Sequence, residues 1–331
     1  VARASGVRAH SLGWLAWPVV TPGWTLTPKI AYNAAAYALD RPVTDPITGQ
    51  PIDGRRIMAR VVPTLSLDST WLLERDAVWF GRSTRQTLEP RVLYVNTPYR
   101  RQDRLPNFDA AAKDFNFDSI FTENAFAGVD RVSDAHQMTA GVTTRILDAQ
   151  TGAEAMRLGL VQRYLFRDQL VTPDGAPLTQ RFSDVLLLGS TTLVPNWKLD
   201  ASVQYNPDAN RAVRSVVGAR YSPGPFRTVA ATYRLAQGAS EQVELAWQWP
   251  LLGATPGTAS LRSSSVAGSS SSACTGSWYS VGRANYSTRD RRVTDSILGF
   301  EFDAGCWIAR VVAERQSTGL SEATTRLLLQ L

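Results

Sequence analysis

The sequence predicts an all-β chain: a large antiparallel transmembrane β-barrel, of which residues 1–331 supply a part of about fifteen strands. Three observations carry this reading. Apolar and polar residues alternate with period two along much of the chain. The alternating segments run roughly 10 to 15 residues, beyond the ~5–6 of an ordinary soluble strand and sufficient for the ~9–11 of a tilted strand crossing a bilayer. Hydrophobic residues make up 44% of the chain, yet they are too scattered to form the ~20-residue apolar run of a membrane-spanning helix, and no helical periodicity stands out. A soluble propeller would repeat a blade signature every ~40 residues, and none is found.

Taken in chain order, Trp17 and Trp24 flank a predicted turn at 18–23, and two long connections follow at 98–135 and 167–182. Between them lie two strands and the short turn "DAQTGA" (148–153). Long and short connections therefore alternate, which places "VPN" (194–196) and "SPGP" (222–225) on the short-turn side and "NPDAN" (206–210) and "AQGAS" (236–240) on the long-loop side. In bacterial barrels the short-turn side is periplasmic.

The strands between these turns have two unlike faces. Met156, Leu158, Leu160, Tyr164 and Phe166 oppose Arg157, Gly159 and Arg163. "NWKLDASVQY" sets Trp197, Leu199, Ala201, Val203 and Tyr205 against Lys198, Asp200, Ser202 and Gln204. "FRTVAATYRL" and "EQVELAWQW" separate Val229, Ala231, Tyr233 and Leu235, then Val243, Leu245, Trp247 and Trp249, from Arg234, Glu244 and other polar neighbours. A barrel explains both faces, with lipid outside and water or a polar plug inside. Arg157, Arg163, Lys198 and Arg234 are accordingly expected to face the lumen. Trp17, Trp24, Trp197, Trp247, Trp249 and Trp278 gather at the short-turn rim, as in an aromatic girdle whose N–H groups stay wet.

Charge and motifs narrow the function. The formal net charge is +6, and of 35 basic side chains three are lysine and the remaining 32 arginine. The arginines are dispersed rather than gathered into a stripe, which argues against nucleic acid as a partner. The only histidines are His10 and His136; no metal-ligand spacing, phosphate-binding Gly loop or Gly-x-Ser-x-Gly occurs. No cofactor and no enzymatic activity are expected. His136 beside Asp134, with Ser133 or Ser119, is the one constellation a membrane hydrolase could use.

"QTLEPRVLYVNTPYR" (86–100) and "LPNFDAAAKDFNFDSIFTENAFAGVDRVSDAHQMTAGVTTR" (105–145) resemble the barrel of the lipopolysaccharide-assembly outer-membrane proteins, the LptD or organic-solvent-tolerance family. The Leu88–Arg91 strand entry, Phe108-Asp109, Asn124–Phe126, Gly128–Arg131 and Gly141–Arg145 follow that family's order, and "DSILGFEFDAGCWIARVVAER" (295–315) resembles its cysteine-bearing hairpin. The resemblance implies a Gram-negative outer-membrane protein that inserts lipopolysaccharide into the outer leaflet through a lateral opening between the first and last barrel strands. It implies outer-membrane lipids as surroundings, an LptE-like lipoprotein plugging the lumen, and an LptA-like periplasmic bridge reached through an N-terminal jelly-roll domain. Residues 1–331 are then the C-terminal barrel portion, with the jelly-roll and early strands absent; without a starting Met or leader pattern, either a signal peptide was removed or the chain is a piece of a longer protein, and the second is the expectation. A porin or substrate-specific channel is the alternative. Phe108, Phe115, Phe117, Phe121 and Phe126 speak against it, since a constriction loop is expected to offer charges whereas this one is aromatic enough to pack as a lid.

Continuing the alternation puts both Cys274, in the serine-rich run 263–278, and Cys306 on the periplasmic side. The resemblance implies that Cys306 matches one of an adjacent cysteine pair bridged to the N-terminal domain. Its neighbour here is Gly305, and Cys274 is expected to stand in for the missing thiol, reaching either Cys306 or the N-terminal domain.

Overall fold

A computed structural model describes residues 5–44, 48–52, 54–79, 81–252, 276–304, 307–317 and 322–331. These residues are nearly all β and lie in one large antiparallel sheet of 17 strands, consistent with a large β-barrel; no helix among them is long and apolar enough to cross a membrane. The only helical turn described is Ser119–Phe121.

By contacts the chain divides into two compact units, residues 1–153, 158–187 and 204–210 in the first and the remainder in the second. The first begins with β1 (Gly6–Ala16), β2 (Val19–Thr21), β3 (Trp24–Leu39), β4 (Ile57–Trp71), β5 (Leu73–Trp79) and β6 (Arg82–Thr97). A separate two-stranded ladder, β7 (Ala111–Ala112) with β8 (Phe126–Ala127), sits inside the long connection, before β9 (Ala135–Asp148). The strands β10 (Glu154–Leu165), β11 (Val185–Thr191) and β12 (Trp197–Asn206) contribute to both units. The second unit continues with β13 (Arg211–Gly224), β14 (Arg227–Ala236), β15 (Ser240–Leu252), β16 (Ser277–Ser287), β17 (Arg292–Asp303), β18 (Ile308–Ser317) and β19 (Ala323–Gln330).

The expected count of about fifteen corresponds to rungs rather than strands. β1 and β2 pair with β3 in one continuous register interrupted at Trp17-Pro18, where the Trp17 N–H still bonds the Pro28 carbonyl at 3.0 Å. Proline has no N–H to continue the ladder. β4 and β5 likewise share one register on β6, broken at Leu72, whose N–H turns to the Gly23 carbonyl at 2.9 Å. Among the described residues, seventeen strands less these two continuations leave fifteen rungs.

Two turns are tighter than expected. β2 extends to Thr21, so the first turn shrinks to Pro22-Gly23, and β13 runs through Gly224, leaving Pro225-Phe226 between the strands. The turn after β9 is built by Asp148, whose carboxylate accepts from the N–H of Gln150 (3.0 Å) and Thr151 (2.8 Å) while Gly152 takes φ +71°. A left-handed residue there closes the hairpin without a Cβ clash.

Candidate membrane-facing surface and covered polar face

Alternation fixes the faces of the first unit. In β4, Val61 is 58% exposed and Val62 1%, because successive side chains leave a strand on opposite sides. The exposed side continues through Val7, Leu15, Ile30, Leu65, Leu88, Leu158 and Leu160. In the second unit Val229 faces Trp247, Ala231 faces Leu245, and Leu298, Ala313 and Leu327 form one row; Leu245 is 50% exposed. A water-soluble surface rarely leaves so much contiguous apolar area uncovered, whereas the lipid face of a barrel requires it.

Aromatic residues mark the strand ends. In the first unit Trp24 pairs with Trp71 and Trp79 ends β5; in the second, Trp197 meets Tyr221 (ring centroids 5.0 Å apart) and Trp278, Phe302 and Trp307 form a chain at 4.9 and 5.2 Å. Trp71, Trp79 and Trp307 extend the short-turn girdle beyond the residues the sequence singled out. The long-loop end of the first unit carries a second aromatic group that sequence reading missed: His136 against Phe166 (4.8 Å), Phe166 against Tyr164 (5.1 Å), Tyr164 against Phe182 (5.0 Å), with Tyr94 edge-on to His136 (5.9 Å). Five residues from three strands and a loop make this group, so no local motif announces it.

The opposite face of the first unit is covered by residues 98–134. Asp130 is the hub, its side chain wholly buried. One carboxylate oxygen accepts from the Tyr37 hydroxyl (2.8 Å) and lies 2.9 Å from the Arg8 guanidinium in an ion pair, and the other accepts from the N–H of Phe108 (2.6 Å) and Asp109 (3.0 Å). Burial by itself would raise the Asp130 carboxyl; the donors from Arg8, Phe108, Tyr37 and Asp109 together outweigh it and hold the group below the usual carboxylate range. Arg60, buried on β4, donates to Gln102 Oε1 (2.7 Å), Asn33 Oδ1 (3.0 Å) and the Val129 carbonyl. Glu123 accepts from Lys29 (3.1 Å) and Ser66 (2.5 Å). The second long connection is tied in by Asp134, which accepts from the N–H of Leu170 (2.9 Å) and Val171 (2.7 Å).

The family named LPS transport system D, LptD, matches residues 2–254. LPS-assembly proteins LptD from Albidiferax ferrireducens, Polaromonas sp. and Paracidovorax citrulli are 47%, 46% and 44% identical to this chain over 98% of its length. The chain belongs to the LptD family. It spans 38–39% of the length of these relatives, and the porin alternative has no support in the matches.

In this LptD-family chain the five phenylalanines of the long connection are not equivalent. Phe115, Phe117 and Phe121 pack on a buried cluster of Ile120, Val161 and Leu186. Phe121 also touches the Leu93, Val95 and Ala135 cluster, with the Arg91 guanidinium 4.5 Å above its ring. Phe126 is buried, whereas Phe108 is partly exposed and lies 6.3 Å from Tyr37. Phe117 rests on Gly159, where an added Cβ would fall 2.5 Å from its ring. Gly159→Leu is therefore expected to lift Phe117 and destabilise the covering segment by about 1–3 kcal/mol through overpacking, read as faster proteolysis within residues 98–134; unchanged proteolysis would show that Phe117 does not anchor it.

Arg163 shares the covered face with Gly159 and Val161, and bonds Thr139 Oγ1 (3.2 Å) and the Ile120 carbonyl. Arg157 lies on the same side of β10 by alternation, half-buried. Lys198 is exposed on β12, and Arg234 pairs with Glu244 at 3.1 Å. The neighbouring rows of the second unit continue the polar pattern, with Arg283 to Asp295 at 3.3 Å and Arg310 to Glu301 at 2.5 Å. Cys274, Cys306 and most of the serine-rich run lie outside the described residues.

The hydrolase constellation is not assembled. The Asp134 carboxylate is engaged by backbone N–H groups, Ser133 Oγ donates to Asn124 Oδ1 (3.1 Å), Ser119 donates to the Asp114 carbonyl, and His136 stacks among aromatic rings. Nucleophilic catalysis needs the hydroxyl and its base within hydrogen-bond reach of one another.

Proposed function

We propose that this chain is the membrane-embedded portion of an outer-membrane lipopolysaccharide-assembly protein that delivers lipopolysaccharide to the outer leaflet. The similarity to proteins named LPS-assembly protein LptD along 98% of the chain carries the reading. The apolar band bounded by aromatic residues supports it, since such a surface suits a bilayer with headgroups at both rims. The chemistry it performs is passage rather than bond making: an apolar outer face for acyl chains, a polar inner face for sugars and phosphates. Arg157, Arg163, Lys198 and Arg234 are assigned to the lumen in this proposal, and Phe115, Phe117 and Phe121 to a lid held by the Asp130 hub.

An LptE-like lipoprotein is proposed to fill the lumen and an LptA-like bridge to feed the pathway through a preceding jelly-roll domain; a wide cavity lined by Arg and Glu must be hydrated or filled. Depleting the full-length protein, or assembling it without its lipoprotein, is expected to lower newly made lipopolysaccharide at the cell surface severalfold and admit large antibiotics. Normal surface lipopolysaccharide and normal exclusion under depletion would contradict the function. Cys274 and Cys306 are proposed to be oxidised in the assembled protein; free Cys274 on non-reducing disulfide mapping would remove that part of the proposal.

A further inference from the structure

An open groove of about 480 Å³ crosses the exposed face of β9, β10 and the start of β11. Met138, Ala140, Val142, Leu160 and Val185 line it, and the stacked rings of Tyr164 and Phe182 (5.0 Å) wall its long-loop end. Its depth arises at Ala140, a methyl between the longer Met138 and Val142 on the same face of β9. Gln162 supplies the one amide in the lining, and its Nε2 is already committed to the Ser183 carbonyl at 3.0 Å. The volume falls within the ~300–1,000 Å³ of specific ligand sites.

We propose that this groove seats one acyl chain of a lipopolysaccharide molecule resident in the outer leaflet. The inference rests on the membrane-facing reading of this surface. Two observations favour an amphiphile in this orientation. The groove is continuous with the exposed apolar band at Leu158 and Leu160, so a chain enters it from the surrounding hydrocarbon without crossing a polar rim. The aromatic wall lies at the long-loop end, where the interface is expected. On the short-turn reading of topology this end faces the outer leaflet, which selects lipopolysaccharide over a phospholipid. Bulk lipid touching a flat strand face exchanges freely; a chain lodged beside Ala140 is held on both flanks.

Photo-crosslinking in native membranes tests this, using the full-length protein with its lipoprotein partner. Met138→p-benzoylphenylalanine and Gln162→p-benzoylphenylalanine are expected to give at least fivefold more lipopolysaccharide adduct than Leu158→p-benzoylphenylalanine, which points outward on the same strand beyond the groove. Adding Ala140→Phe should remove the excess at position 162 and leave the yield at 158 unchanged. Equal yields at all three positions would mean bulk lipid only and overturn the site, as would phospholipid adducts in place of lipopolysaccharide. Absence of any lipid adduct even at position 158 would overturn the membrane-facing reading itself.

Discussion

Asp130→Ala in the full-length protein is expected to release residues 98–134 from β1, β3 and β4, with cleavage at Arg131 by trypsin rising more than tenfold. The substitution leaves the Tyr37 hydroxyl and the N–H groups of Phe108 and Asp109 without their buried acceptor. Removing one member of a buried charge pair typically costs ~3–5 kcal/mol, and the lower end applies because Arg8 keeps Asp109 at 2.8 Å. Asp109 is a third exposed, and its ion pair with Arg8 is expected to be worth less than that of Asp130. Acid should act in the same direction. The carboxyl is held below its ordinary value, so its stabilisation is complete above about 3.9 and is lost as pH falls through the depressed value. Trypsin is inactive there, so pepsin or hydrogen exchange reads the opening. An acid step present in wild type and absent in Asp130→Ala confirms the hub; equal protection of both proteins at every pH contradicts it.

Leu245→Arg is expected to abolish most insertion, while Thr232→Arg, on the adjoining strand but the other face, should be tolerated. Leu245 lies opposite Ala231 and Ala284 in the exposed apolar rows of β14 to β16. An arginine facing lipid near the bilayer midplane costs ~2–4 kcal/mol, enough to consume much of a typical folding free energy. Thr232 lies opposite Glu244, so a guanidinium there meets a carboxylate. Heat-modifiable gel mobility of membrane fractions separates the two outcomes. Equal tolerance of both arginines would show that the two faces do not meet different media.

Much of this fold was legible because period-two alternation is a local property. β10, β12, β14 and β15 could be read from ten-residue windows, and the connections at 98–135 and 167–182 from the loss of that period. The breaks at Pro18 and Leu72 were not legible, since register continuity across an interruption depends on the partner strand. The covered face was partly visible: phenylalanines in a long connection announced packing, and Phe115, Phe117 and Phe121 do pack. The polar fastening was not. Asp130 looks like any loop carboxylate until Arg8 and Tyr37 arrive from strands more than ninety residues earlier in the chain. The aromatic group at the long-loop rim escaped for the same reason, its members being scattered between Tyr94 and Phe182.

If one face of each strand meets lipid and the other a polar interior, the environment must alternate residue by residue along a strand. A nitroxide carried by an encoded unnatural amino acid, placed in turn at residues 228 to 235 of β14 in the full-length protein with its lipoprotein in bilayers, measures this directly through relaxation by oxygen and by a water-soluble nickel chelate. Oxygen-dominated relaxation is expected at Val229, Ala231, Tyr233 and Leu235, and the opposite at Thr228, Ala230, Thr232 and Arg234. Lipid-type relaxation at Arg234, or no alternation along the strand, would contradict it.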